Sequence, residues 1–338
     1  MSDDRIDFLA IGDTVVDAFI ELQDAEVHCD IDSAACKISM TWGDKIPYRD
    51  VHVVYAVGNS PNASVSAARL GLSSGIMTHL GTDQDGDDSV AALERDGVLT
   101  EYITRDPDHK TNYHYVLSFN AERTILIKHE KFTYDLARQV AGKKLPKWIY
   151  FSSVGEHGLP YHHDIVQWVT DNNIKMAFQP GTFQISLGSE KLKDVYAASE
   201  VFFCNVEEPQ RILNTETRDL PTLLKGIHAL GPKIVFITDG PEGAYAYDSH
   251  HQEMWFMPIY PDPKPPVERT GAGDAFSSTA TAALAAGKSV REAIMWGPIN
   301  SMNVVQHIGA QAGLLSRDEL LKYLENAPDH YVPQKIEF

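Results

Sequence analysis

Thr270-Gly271-Ala272-Gly273-Asp274-Ala275-Phe276-Ser277-Ser278 runs straight into the Ala-rich stretch 279–286. That stretch is a strong helix former, and Gly287 reads as its C-cap. Small residues ahead of a helix leave backbone N–H groups free, and the helix dipole adds positive potential there. Together they make an anion site suited to a phosphate. A carboxylate at the helix start, Asp274, is of no use in binding an anion. Its natural task is to take a proton from an attacking hydroxyl, while the N–H groups stabilise charge on a transferring phosphoryl group. The same residues also read as a tight turn with Asp274 as a helix cap, so the rest of the chain has to decide.

Outward from this point, short apolar runs alternate with helical periodicity. Strands are expected at 8–12, 76–80, 148–152, 175–178, 201–205 and 234–238, all rich in Ile, Val and Phe. Helices are expected at 62–70, 89–95, 163–171, 208–213, 220–229, 275–286 and 290–307. Such alternation predicts an α/β fold, a mainly parallel sheet covered by helices on both faces. The segments 15–54 and 101–130 break the rhythm with alternating patterns such as Tyr113-His114-Tyr115-Val116-Leu117-Ser118, which predict a small antiparallel sheet made by two insertions. The rings of Tyr113, Tyr115 and Phe119 read as packing within it. There is no internal repeat and no long polar linker.

The 338 residues carry 29 Lys+Arg against 47 Asp+Glu, a formal net charge of −18. Nucleic acid is bound through clustered cations, and the sequence has no such cluster. Cys29, Cys36 and Cys204 are read as too few and too scattered for a disulfide framework or a zinc site, which fits a reducing compartment. Met1-Ser2-Asp3-Asp4-Arg5 is unlike a signal peptide, and no apolar run approaches ~18 residues. A cytoplasmic protein that binds no membrane is therefore expected.

Segment 270–276 resembles the C-terminal signature of the ribokinase-like, or PfkB-type, family of carbohydrate and nucleoside kinases. Gly58-Asn59-Ser60-Pro61-Asn62-Ala63-Ser64-Val65-Ser66-Ala67-Ala68-Arg69-Leu70-Gly71 resembles its first signature, and Gly81-Thr82-Asp83-Gln84-Asp85-Gly86 the turn that follows. Gly12-Asp13 with Asp17 is similar to the family's substrate-binding opening, and Glu122-Arg123-Thr124-Ile125 to a lid-strand motif. Asn205-Val206-Glu207-Glu208 is similar to an Asn-x-x-Glu element associated with magnesium and phosphate. Thr238-Asp239-Gly240-Pro241-Glu242-Gly243 resembles the nucleotide-side loop. These elements occur in family order from about residue 5 to residue 315.

The resemblance implies a ribokinase-like three-layer αβα core from residues 1–14, 55–100 and 131–338, with a β-sheet lid from 15–54 and 101–130. It implies an ATP-dependent kinase that phosphorylates a primary hydroxyl of a sugar, with Asp274 as general base. Gly271, Ala272 and Gly273 would form the anion hole. Asp13, Asp17, Gly58, Asn59 and Asn62 would hold the acceptor, since carboxylates and amides pair well with vicinal hydroxyls. Asn205, Glu208, Thr238, Gly240, Gly243 and Asn303 would serve the nucleotide, with Glu208 on the Mg²⁺. A nucleoside acceptor is the alternative on the same fold. A non-catalytic sugar or nucleotide sensor is the alternative of a different class, and the retained Asp274 speaks against it. Lid-to-lid dimers occur in the family, so a homodimer through the lid is expected.

The chain departs from the family pattern at several places. Val57-Gly58 stands where Gly-Gly is common, which narrows the acceptor's approach. Glu268-Arg269-Thr270 stands in a region that organises a monovalent cation in many members. The longer carboxylate and the charge of Arg269 point to a weakened K⁺ dependence, although Arg269 also reads as a solvated surface residue. Gln179 takes the place of a frequent Asp or Asn and, being neutral, is left out of the site. Asn300 and Asn303 read equally as a polar helix face. A phosphorylated acceptor is disfavoured, because Asp13, Asp17 and the acidic stretch 23–32 would repel it.

Two further patterns are set aside. Gly287-Lys288-Ser289 resembles the end of a P-loop, but its first Gly would fall at Ala282 within a helix. His157, His162 and His163 lack metal-ligand spacing and read as solvated residues of a surface turn.

Overall fold

The computed structural model describes residues 4–29, 36–119 and 122–337. The first three residues, and Asp30 and Asp32 of the acidic stretch, lie outside the described residues.

The apolar runs assemble into one nine-stranded sheet. Its order is Gln334–Ile336, Glu253–Met257, Ala244–Asp248, Ile234–Thr238, Val201–Asn205, Lys175–Phe178, Pro146–Phe151, Ile6–Ile11 and Ser74–Met77. The six strands from Ile234–Thr238 to Ser74–Met77 pair in parallel, and the other three add on antiparallel. Parallel strands covered on both faces must be apolar at successive positions. Phe202 and Phe203, neighbours on one strand, accordingly enter different apolar clusters on opposite sides of the sheet.

Three of the expected strands, 175–178, 201–205 and 234–238, keep their boundaries. The expected strand 76–80 is in fact two. Ser74–Met77 joins the main sheet, while His79–Gly81 turns away to pair with Thr104–Asp106. The helix Arg317–Glu325 was not expected, although Ser316 and Glu319 form a capping box that announces it.

The two rhythm-breaking insertions form a separate four-stranded sheet, in the order Glu122–Leu126, Asn112–Phe119, Val15–Leu22 and Tyr48–Val57. It is not wholly antiparallel: Val15–Leu22 runs parallel to Asn112–Phe119, because the two strands come from different insertions rather than from one hairpin. The hairpin Glu26–Cys29/Cys36–Ser39 sets Cys29 opposite Cys36, and the two are disulfide-bonded. The reading of the cysteines as scattered is thereby corrected. Six intervening residues allow two short antiparallel strands to bring both thiols together, and only Cys204, buried, is free. Among the described residues no helix is long and apolar enough to cross a membrane.

The helix that starts beside Asp274 spans Ala272–Ala285 and packs on Val290–Val304. Small residues let the two approach closely: a Cβ on Gly297 would lie 2.5 Å from the Phe276 ring. Buried Asn300 is structural, donating to Thr279 Oγ1 (2.8 Å) and accepting from the Leu315 N–H (2.9 Å). Ser289 caps the second helix and Lys288 pairs with Glu292 at 3.0 Å, so 287–289 is a helix start and not a phosphate loop. His162 corrects the solvated-turn reading. It is buried and its Nδ1 donates to the Gly158 carbonyl (2.7 Å), and burial lowers its pKa. His157 stacks on Tyr134, and His163 pairs with Asp194.

Candidate active site

Parallel α/β sheets leave their open ends, and so their ligand sites, at the C-terminal ends of the strands. Gly12, Gln179, Asn205 and Thr238 sit at four such ends. Between them stands the turn at Gly271, which adopts φ +79° as the N-cap of Ala272–Ala285. A Cβ there would lie 2.3 Å from the Cβ of Ala310. The turn is therefore held both by its backbone conformation and by close contact with the 309–310 loop. The first N–H groups of a helix have no partner within it, and the first helical bond here runs from the Ala275 N–H to the Gly271 carbonyl (2.8 Å).

Three neutral amides converge on Asp274. Asn59 Nδ2 donates to Oδ1 (2.9 Å), Asn62 Nδ2 to Oδ2 (2.9 Å) and Gln179 Nε2 to Oδ1 (3.2 Å). Burial pushes the carboxyl above the ordinary aspartate range, and the donors Asn62, Gln179 and Asn59 pull it back. No ion pair to Asp274 occurs among the described residues. Two of the amides are themselves fixed. Asn62 Oδ1 accepts from Gln311 Nε2 (3.0 Å), while Gln179 Oε1 accepts from the Tyr150 hydroxyl and from Ser277 Oγ (3.2 Å). A carboxylate raised by burial, surrounded by donors and free of cations can hold a proton briefly and give it up.

Two spaces adjoin this carboxylate. On one side lies a cleft of about 390 Å³ whose lining includes Asn205, Thr238, Gly240, Gly243, Arg269, Ala272 and Gly273. On the other, Gly58 (φ +119°) brings the start of the helix Asn59–Arg69 against the Asp13 backbone, where a Cβ would meet the Asp13 carbonyl at 3.2 Å. The Asp13 side chain is buried and accepts from the Tyr134 hydroxyl (2.9 and 3.2 Å). Asp17, on the small sheet, lies 3.4 Å from His114 Nδ1.

A family model for pfkB family carbohydrate kinases matches residues 43–317. The chain belongs to that family. It is 25% identical over 305 residues to a fructokinase of Vibrio alginolyticus, covering 83% of this chain and 95% of that one. It is 24% identical over 326 residues to a nucleoside kinase of Methanothermobacter thermautotrophicus, covering 95% and 96% of the two chains. Arabidopsis thaliana ribokinase, solved with ribose and ATP, superposes with a TM-score of 0.78 at 19% identity, over 95% of this chain and 99% of that one. As a PfkB kinase the protein is a phosphotransferase acting on an alcohol group.

Within the kinase, most residues singled out from sequence gather at one place, but not all. Asn303 does not: its Nδ2 donates to the Gly313 carbonyl (2.7 Å), away from the cleft, as a polar helix face would. Arg269 is exposed yet belongs to the cleft wall. Glu208 accepts from the Asn205 N–H (2.8 Å), and Asn205 Oδ1 in return accepts from the Glu207 and Glu208 N–H groups (3.0 and 3.1 Å). Burial pushes the Glu208 carboxyl up and nearby Asp274 adds to this, against the pull of the Asn205 N–H and Arg211. Glu268 has both oxygens occupied, by the Thr270 hydroxyl and by the Gly309 N–H (3.1 Å).

Sequence reasoning left out Gln179, and the structure corrects this, because its neutral amide is one of the three donors to Asp274. The signal was its position at the end of the strand Lys175–Phe178. Tyr134, His114 and His129 were missed too, since nothing local in their neighbourhoods marks a site.

Proposed function

We propose that the protein transfers the γ-phosphoryl group of ATP to a primary hydroxyl of a sugar, with Asp274 as the general base. The observation that carries this reading is the cation-free convergence of Asn59, Asn62 and Gln179 on Asp274 at the helix start. An acceptor hydroxyl beneath the small sheet gives its proton to Asp274 as its oxygen attacks phosphorus. The Gly273 N–H, the Ala272 N–H (held only at 3.5 Å by the Arg269 carbonyl) and the helix dipole receive the charge that develops on the phosphoryl oxygens. Arg269, in the cleft wall, supplies a side-chain cation on the nucleotide side. The small sheet acts as a lid that keeps water from the reacting phosphoryl group.

Mg²⁺ fits the nucleotide side. A hard cation of this kind is held by one or two carboxylates together with substrate phosphates and water. Half-buried Glu208, with its carboxyl pushed up by burial, is such a carboxylate. Bound there, the ion would neutralise phosphate charge. Glu208→Gln is expected to raise the Mg²⁺ concentration for half-maximal rate about tenfold. An unchanged Mg²⁺ titration would remove Glu208 from that role. The occupied oxygens of Glu268 support a weak dependence on K⁺.

ADP release with ATP, Mg²⁺ and a panel of sugars and nucleosides tests the reading, and binding without turnover on every acceptor would favour a sensor. A nucleoside acceptor is the second reading, supported by the Phe183 ring edge-on to His129 at 5.8 Å on the acceptor side. Val51, Tyr115 and Leu126 are exposed on the small sheet and support a homodimer through it.

Gln179→Ala removes a donor that favours the charged form of Asp274, so the carboxyl should rise further. The acid limb of the kcat/KM profile should then move to higher pH, with a loss of about tenfold near neutrality. An acid limb that stays in place would show that Gln179 does not tune the base.

A further inference from the structure

We infer that His114 and His129 are the specificity-determining residues for the acceptor, and that together with Asp17 and Asp13 they read the secondary hydroxyls of a neutral sugar ring. The inference rests on the kinase reading above and deepens it.

The register pairs Asp17 with His114, Phe19 with Val116 and Glu21 with Ser118. Alternation therefore sets Asp17 and His114 on the same face of the small sheet as Phe19, Glu21 and Ser118. That face forms one wall of a groove of about 500 Å³, and Val267 and Glu268, just ahead of the Gly271 turn, form the other together with Ile308, just ahead of the 309–310 loop. Val54, the partner of Asp17 in the sheet, lies 3.6 Å from where a Cβ on Gly309 would be. Asp17 and His114 thus look across toward the loops that build the anion turn.

His129 arrives from the segment after Glu122–Leu126, and its ring lies 5.1 Å from that of His114. Each imidazole faces one aspartate. His114 Nδ1 is 3.4 Å from Asp17 Oδ1, and His129 Nδ1 is 3.5 Å from Asp13 Oδ2. Both distances are longer than made hydrogen bonds. Asp13 cannot move toward its imidazole freely, because the Tyr134 hydroxyl holds both its oxygens. Asp17 Oδ1, His114 Nε2 and His129 Nδ1 are all buried and have no hydrogen-bond partner. Buried polar atoms normally find partners, and three orphans in one place mark where a ligand supplies them.

The chemistry of the four groups selects the ligand. Carboxylates only accept, while an imidazole can accept at one nitrogen and donate at the other. A hydroxyl both donates and accepts, so a ring bearing several hydroxyls satisfies all four groups at once. A carboxylate or phosphate on the acceptor would face Asp13 and Asp17, with both imidazoles already turned to those aspartates.

The test compares wild type, His114→Ala, His114→Asn and His129→Ala in kcat/KM. D-ribose, D-fructose and adenosine are set against 2-deoxy-D-ribose, 3-deoxy-D-fructose and 2′-deoxyadenosine, with D-gluconate as an anionic acceptor. Wild type should prefer one hydroxylated parent over its analogue by about 10²-fold or more, as sites built around a hydroxyl do. His114→Ala or His129→Ala should lose about that factor on the parent, mostly in KM, and then treat parent and analogue alike. His114→Asn should restore part of the preference. Equal losses on parent and analogue, as a purely structural role would give, overturn the inference, as does a preference for D-gluconate. Wild type that turns over no acceptor overturns the kinase reading and this inference with it.

Discussion

Asp274→Asn is expected to lower kcat by about 10²–10⁴-fold, the usual contribution of a positioned general base, while ATP and acceptor still bind. The amide fills the same volume but cannot take a proton, and the anion turn at Gly271 is left as it was. Wild type should also carry a one-proton acid limb. Burial raises the Asp274 carboxyl above the ordinary aspartate range, and only its deprotonated form accepts a proton. Rate is therefore lost as pH falls through that raised value, and is flat above it. The residual activity of Asp274→Asn should show no such limb. Initial rates from acid to alkaline pH, with isothermal titration of ATP, decide the matter. Turnover within about threefold of wild type would remove Asp274 as the base.

Gly271→Ala is expected to damage both fold and turnover. An L-residue in the left-handed region costs about 1–2 kcal/mol, and the new Cβ would also lie 2.3 Å from the Cβ and 2.8 Å from the Cα of Ala310. Backbone cannot yield as a flexible side chain can, so the 309–310 loop or the turn must shift. Either movement would displace the N–H groups from the proposed position of the phosphoryl oxygens. Gly273→Ala is the natural control. Its Cβ would meet nothing within 4 Å, and Ala suits a helix better than Gly by about 0.5–1 kcal/mol. It should melt no lower than wild type and should show only a raised KM for ATP, because residue 273 lines the cleft. Thermal unfolding of both variants separates the two effects. A Gly271→Ala protein that melts with wild type and keeps its rate would deny the turn its constrained geometry.

The core was legible because its signals are local. A parallel strand buried on both faces writes its apolar character into consecutive residues, as Val201 to Cys204 do. Asp274 was legible for the same reason, since its small neighbours and the Ala-rich helix stand beside it in sequence. Gln179 depends on partners 95 and 98 residues away, and His129 on Asp13. Such groups acquire meaning only when the chain has closed. The Cys29–Cys36 bond was hidden because it rests on strand register, which alternation within one strand does not fix. Asn303 erred in the other direction: the resemblance assigned it to the nucleotide, but its side chain donates to the Gly313 carbonyl.

Trp42 stands 98% exposed in the connection between the disulfide hairpin and the strand Tyr48–Val57, whereas Trp148 and Trp296 are buried in the core. An indole in water emits at longer wavelength than one in an apolar interior and is open to collisional quenching by iodide. The first insertion therefore carries its own optical label, fully exposed where Trp148 and Trp296 are buried and Trp168 and Trp255 half-buried. Iodide quenching followed against protein concentration, and then against acceptor, would report separately on a second copy covering the sheet and on its closure.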